Sequence, residues 1–388
     1  MRSVTLGLLI VVNIVQQSAF AEPWRRHVVD NQYQGADGVR LGDFNGDGLS
    51  DVVTGWEESG LVRLYLNPGP KNVKRPWPSV TIAKAASPED AVPMDVDGDG
   101  KLDIISCHEG KRRQVLVHFS NVANSNDNQA WLSPRSWSTS PIAALDGVMW
   151  MYALPLPLND GRQAIVLGSK GPKASLTLLV PDRTSIETKR PNRDLDQWQV
   201  IRLRQVGWTM SLRSVDMDGD GDQDIVFTDR KGSRSAAAWL EQPKNPSEPW
   251  EEHLIAGQGR EVMFMTASPE RCLIATRRDG SIDCVRQDDG WTTTPIKHPP
   301  FVEFGKAIEV LPGGQILLSA NTKASRHPDQ PGLWIRDIAG NWDIVDPTPA
   351  VKFDRFELID FDGDGDLDAM TCEERQNFGV VWYENPGL

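Results

Sequence analysis

The chain has 388 residues and a formal charge of −13, with 27 prolines and 33 glycines. So many turn formers argue against long helices and for an all-β chain, which can run this long as one unit. The acidic balance excludes a nucleic-acid phosphate footprint, which needs clustered Lys and Arg.

Residues 1–21 read as a secretory signal. Arg2 is the charged start, Val4 to Val15 is apolar, and Ala19-Phe20-Ala21 is a cleavage site. The apolar stretch is short for a membrane span, which needs ~20 residues. Export places the mature chain, starting at Glu22, in the periplasm or outside the cell. No later segment is apolar enough to cross a membrane.

The mature chain opens on Trp24, followed by the strand Val28-Val29. A Trp leading a short aliphatic strand returns at Trp77, Trp137, Trp198, Trp250, Trp291 and Trp342, at spacings of 53, 60, 61, 52, 41 and 51 residues. That is the length of a four-stranded propeller blade. An Asp-rich run precedes a β-like stretch four times, at residues 43–51, 95–103, 216–224 and 360–368. Leu158 to Arg162, Ser268 to Arg271 and Leu311 to Gly314 stand in its place in the other three units. A third phrase closes a strand with a turn: Leu64 to Gly69 and Val381 to Gly387 are nearly identical, Trp239 to Pro243 repeats the second with Gln for Asn, and Trp334-Ile335 is a looser copy.

One unit therefore reads as strand 1, Asp loop, strand 2, polar turn, strand 3, Asn-Pro-Gly-type turn, Trp-led strand 4. The last unit stops before its strand 4, and the mature chain begins with an unattached one. The expected fold is an all-β, seven-bladed β-propeller over residues 22–388, with the N-terminal strand pairing with the C-terminal blade. Closure hides the edge strands, and a monomer is expected.

The Asp runs have the form D-x-[DN]-x-D-G-x-x-D. Side-chain oxygens fall at positions 1, 3, 5 and 9, a backbone carbonyl at position 7, and the Gly after position 5 lets the loop turn tightly. Calcium is a hard cation that takes 6–8 oxygens. The reading gives about four Ca2+ sites: Asp43, Asn45, Asp47, Leu49 and Asp51; Asp95, Asp97, Asp99, Lys101 and Asp103; Asp216, Asp218, Asp220, Asp222 and Asp224; Asp360, Asp362, Asp364, Asp366 and Asp368. No EF-hand is written, because Thr54 stands where the position-12 glutamate would be and no flanking helix is present.

These loops, the strand phrase and the Asn-Pro-Gly turn resemble the VCBS / FG-GAP repeat family over residues ~35–388. The resemblance implies a calcium-binding propeller on the plan of integrin α-subunit heads. Fungal sugar dehydratases and bacterial polysaccharide lyases are similar too, so it implies no single activity.

No metalloprotease, serine-hydrolase, Walker or Rossmann motif is present. Six histidines are scattered singly, and His27 and His253 occupy the same place in two strand-4 copies, which marks them as structural. The blade phase sends the strand 2–3 turns and the interblade connections to the face opposite the Asp loops. That face collects Glu57, Glu89, Asp90, Glu109, Lys170, Asp229, Arg230, Lys231, Glu261, Lys306, Asp354, Glu357 and Glu373, with Trp150 and Trp208. Two functions fit. One is a binding module for an extracellular glycan or protein. The other is a sugar lyase or dehydratase, in which Glu109 or Glu373 takes a proton and Lys231, Arg230 or Lys170 steadies the oxyanion. Cys272 and Cys284 lie on adjacent strands, in a register that does not set them squarely opposite, which leaves their bonding open.

Overall fold

The computed structural model describes residues 24–182, 193–287 and 290–387. The expected signal segment, residues 1–21, lies outside them. The described residues form seven antiparallel sheets of four strands each. Six are sequence-continuous: blade 1 spans 36–84, blade 2 88–141, blade 3 149–205, blade 4 209–256, blade 5 262–296 and blade 6 305–349. Blade 7 joins residues 357–384 to the N-terminal strand Arg25–Asp30, which takes the outer place beside Gly379–Glu384. The seven-bladed expectation and its closure are both met.

Closure is specified by side chains as well as by the ladder. Arg25 lies opposite Glu384, His27 opposite Trp382 and Val28 opposite Val381. The His27 ring stacks on Trp382 at 4.3 Å and its Nε2 meets Glu384 at 2.7 Å. Blade 4 repeats this: His253 stacks on Trp239 at 4.1 Å and meets Glu241 at 2.9 Å. Both histidines are structural, as expected.

Hydrophobic packing lies largely between blades. Trp56, Tyr65, Phe361 and Trp382, all nearly inaccessible, share one cluster across blades 7 and 1. The middle strands Asp51–Trp56, Asp103–His108 and Asp368–Glu373 are buried along their whole length, because neighbouring blades cover both faces. The three units without Asp runs turn tightly: Leu158 N–H donates to the Arg162 carbonyl at 2.8 Å, Ser268 to Arg271 at 2.8 Å and Leu311 to Gln315 at 2.9 Å.

Every first strand but blade 7's carries a register shift near its start, for example between Asp37 and Arg40, Pro88 and Asp90, and Gly305 and Ile308. A bulge re-aims the side chains beside it, and here the bulges ring one end of the channel. Gly38 sits in the first with φ +73°. A Cβ there would meet Asp90 Oδ1 at 3.2 Å and be strained in any case.

One sequence reading is corrected. Cys272 and Cys284 are directly opposite in the ladder. A four-residue turn over Arg277 to Gly280 would set Cys272 opposite Val285, but the pairing is centred half a residue earlier, on Arg278, which brings the two cysteines into register. Both thiols are free, as are Cys107 and Cys372. Burial pushes Cys272 and Cys284 up to about 12. Among the described residues no helix is long and apolar enough to cross a membrane.

Candidate functional site

The four Asp loops share one architecture. The position-1 carboxylates of Asp43, Asp95, Asp216 and Asp360 accept the N–H groups of both glycines in their own loops, at 2.7–3.2 Å. The position-9 carboxylates are the pivots. Asp51 accepts from Phe44 N at 2.9 Å and Asn67 N at 2.8 Å. Asp103, Asp224 and Asp368 do the same with Val96 and Ser120, Met217 and Gln242, and Phe361 and Asn385. The amides of Asn67, Gln242 and Asn385 then donate to the position-8 carbonyls at 2.7–3.1 Å. That explains why the turn phrase repeats alongside the Asp run: each locks the other.

Burial, with added repulsion from neighbouring loop acids, pushes Asp51, Asp103 and Asp368 up to about 7 and Asp224 to about 6. One carboxylate oxygen from each of Asp95, Asp97 and Asp99 lies within 4.8 Å of the others, and the same holds for Asp216, Asp218 and Asp224. The donors are all oxygens, crowded and mutually repelling, which suits a hard cation. The next blade also reaches three of these loops. Asn128 accepts from Asn45 at 3.0 Å, Arg193 donates to Asp97 at 2.7 Å, and Lys74 meets Asp362 at 2.9 Å. Asn128 belongs to a one-turn helix, Asn128–Trp131, capped by Asp127, whose Trp131 packs on Phe44 at 5.6 Å. The sequence pattern holds no signal for that turn of helix.

The opposite mouth gathers most of the charged residues expected there. Lys170 Nζ contacts Glu109 and lies 3.7 Å from Glu89. Lys306 meets Asp354 at 2.5 Å. Lys352 reaches Glu374 at 2.9 Å, Asp354 at 3.4 Å and Asp37 at 3.9 Å. Burial, then repulsion from Glu58 and Glu109, pushes Glu57 to about 7. Burial, then Asp37, holds Glu89 well above the usual carboxylate range, and burial, then Asp354, does the same to Asp37. Burial opposes ionisation of Asp354, but Lys306 and Lys352 overcome it and hold it low. Glu109 is likewise held low against its burial by hydrogen bonds with Glu89 and Lys170.

Beside this cluster stands Trp208. Arg230 Cζ, Lys170 Nζ and Lys231 Nζ lie 4.5, 4.7 and 4.8 Å from its ring centroid. Glu261 joins Arg230 at 3.3 Å and Arg277 at 3.2 Å. From there a cleft of about 610 Å³ runs outward between Arg277, Arg278, Phe304 and Arg326.

Four expected site residues stand apart from the mouth's open chemistry. Asp90, fully buried in the channel, holds Arg40 through both oxygens at 2.6 and 2.9 Å. Asp229 accepts from Arg204, Gly207 N and Trp208 N, so it positions the indole. Glu357 lies inside the channel with Arg355 at 2.8 Å. Glu373 accepts from the N–H groups of Lys352, Arg375, Gln376 and Phe378, and so clamps a turn. Asp37 and Lys352 escaped the sequence reading. Asp37 lies in a strand, not a loop, and only the bulge at Gly38 turns it toward the mouth. The Asp-Gly pair opening the first unit was the available signal.

Residues 31–106 match the family model of the FG-GAP-like repeat. No curated protein matches the chain. Among solved structures it is similar to YCF48 from Cyanidioschyzon merolae, at 10% identity and TM-score 0.55, covering 94% of this chain and 99% of that one. It is also similar to Sqt1 from Saccharomyces cerevisiae, at 11% identity and TM-score 0.52, covering 93% and 97%. These likenesses concern the fold alone; by its own sheets the chain is a seven-bladed β-propeller, and its residues 31–106 match an FG-GAP-like repeat.

Proposed function

We propose that this is an exported propeller, stiffened by calcium in its Asp loops, that recognises an acidic extracellular glycan at the opposite channel mouth. The observation behind this reading is Trp208 with three cations around one indole. Lys170 and Arg230 have carboxylate partners, but Lys231 has none among the described residues. A sugar ring can lie against an aromatic face while a uronate or sulfate group answers the spare cation. The cleft toward Arg326 adds length for further sugar units.

Calorimetry against alginate, polygalacturonate and a neutral glucan tests the reading. The acidic polymers should bind and the neutral one should not. Trp208→Ala and Lys231→Ala should each weaken binding about tenfold, a ~1.4 kcal/mol effect typical of one aromatic or charge-assisted contact. Equal binding of the neutral polymer would remove the acidic-ligand reading. Export has its own check: mass spectrometry of protein secreted by a bacterial host should find Glu22 first, and a retained Met1 would rule it out.

Glu57 favours a second reading, proton transfer in a lyase or dehydratase. A carboxyl near 7 suits a general base at neutral pH, and Lys170 stands in the same cluster to answer developing negative charge. Glu57→Gln would then abolish the absorbance of unsaturated sugar products while leaving binding intact.

A further inference from the structure

The rim of the channel mouth runs against the charge of the chain as a whole. The formal charge is −13, yet the strand 2–3 turns of five consecutive blades are basic. Each holds at least one exposed cation that meets no carboxylate among the described residues: Lys111 and Arg112 in blade 2, Lys173 in blade 3, Lys231 in blade 4, Arg278 in blade 5 and Lys323 in blade 6. The same turns expose two acids, Asp279 and Asp329. Blades 7 and 1 break the arc. The blade 7 turn sets Glu374 against Arg375, and the blade 1 turn brings Glu57 and Glu58 with no cation.

Open space lies along this arc. A cleft of about 460 Å³ runs beside Lys111 and Arg112, one of about 270 Å³ beside Lys231, and the cleft of about 610 Å³ beside Arg278. Aromatic rings join the last two. Arg230 Cζ lies 4.5 Å from the Trp208 centroid and 5.6 Å from that of Phe304, and Arg277 Cζ lies 5.0 Å from Phe304. Glu261 answers both guanidiniums with a single carboxylate, so the join keeps a positive charge to spare.

We infer that the arc from blade 2 to blade 6 is the track of an acidic polysaccharide, which follows the rim past Trp208 and does not end there. The inference rests on the glycan reading of Trp208 and extends it from one sugar subsite to a polymer. Weak charge contacts spread over five blades serve a long ligand, because the first contact raises the effective concentration of the rest. The middle of the face calls for a flexible chain. Glu57, Glu58, Glu89 and Glu109 crowd the mouth inside the arc. A flat anionic bilayer or a stiff duplex laid over the mouth would press its own charge against them, whereas a single flexible chain can keep to the rim.

Calorimetry with polygalacturonate and trigalacturonate tests the track. The ratio of polymer to trimer affinity is the readout, because it cancels what the Trp208 subsite contributes alone. Lys111→Ala/Arg112→Ala and Arg278→Ala/Lys323→Ala should each cut that ratio about tenfold. Added salt should shrink it more for the unmodified protein than for either variant. Lys71→Ala/Lys244→Ala removes two exposed lysines from strand 3–4 turns on the other face and should leave the ratio unchanged. Exposed turn residues contribute little stability, so all three variants should stay folded. An unchanged ratio in either arc variant, with the trimer still bound, would overturn the track and leave the Trp208 reading standing. An equal loss in the control pair would overturn it too, since net charge alone would then account for binding. If neither sugar bound, both readings would fall. Single-stranded DNA or phosphatidylglycerol vesicles binding as tightly as polygalacturonate would overturn the assignment to a glycan.

Discussion

Removing calcium from the Asp loops should lower the melting temperature by roughly 15–30 °C. Each ion that binds only the folded chain adds RT ln(1 + [L]/Kd), or ~4 kcal/mol at a thousandfold excess over Kd, and there are about four loops. At this chain length a kilocalorie moves the midpoint by roughly 1–2 °C. The loops are well placed to transmit the effect, because each position-9 acid also holds the strand 3–4 turn of its blade. The blade 4 loop is the cleanest case. Its carboxylates meet no lysine or arginine among the described residues, unlike Asp97 with Arg193 and Asp362 with Lys74. Asp220→Ala should therefore remove about a quarter of the calcium effect, yet melt close to the unmodified protein once both are chelated. A melting curve indifferent to strong chelator would show that the loops are only turns.

The same acids give the chelated protein a pH dependence. Burial, with repulsion from neighbouring loop acids, puts Asp51, Asp103 and Asp368 at about 7 and Asp224 at about 6 in the folded state, against ~3.9 unfolded. Between these values the folded chain holds more protons than the unfolded one. Their contribution is complete below pH ~4 and is lost as pH rises through 7. Chelated protein should thus melt lower at pH 8 than at pH 5, and calcium should flatten the difference by taking the protons' place. Differential scanning calorimetry at the two pH values, with and without calcium, reads this directly.

Deleting residues 22–30 should cost about 5 kcal/mol and produce aggregates. The deletion uncovers the apolar surface beneath Trp24 and Val29, which are 7% and 6% exposed, at roughly 2–3 kcal/mol for a large buried side chain. It removes the His27 stack on Trp382 and the Asp30 carboxylate that accepts from Tyr65 Oη at 2.9 Å. It also strips the partner from Gly379–Glu384, leaving an unpaired edge that invites association. Light scattering and size-exclusion chromatography decide the matter: a monomeric deletion variant that melts normally would mean that the N-terminal strand is dispensable to the ring.

Much of the fold was legible in the sequence, because a propeller is written as local repeats. The Trp-led strands, the Asp runs and the Asn-Pro-Gly phrase are each short-range patterns, and the incomplete last unit announced its missing strand. Cys272 and Cys284 were harder, because register depends on where a hairpin folds back, and the turn residues alone did not locate that point. The mouth was legible only by face. Phase assigned Glu57, Glu89, Glu109, Lys170, Lys231 and Lys306 to one side but not their neighbours. Glu373 and Asp229 look like Glu109 in the sequence, yet backbone N–H groups claim their oxygens, and such claims depend on the path of the chain in space.

The sequence by itself determined the blade count, the ring closure and the position of every Asp loop, because each depends on residues at most a blade apart or on the complementarity of the two ends. Only the tertiary structure decided which charges meet. Asp37 joins Lys352 across more than three hundred residues, and it points to the mouth because a bulge at Gly38 breaks the two-residue alternation of its strand. Side-chain direction after a bulge, and contact across a closed ring, arise from assembling all seven blades at once.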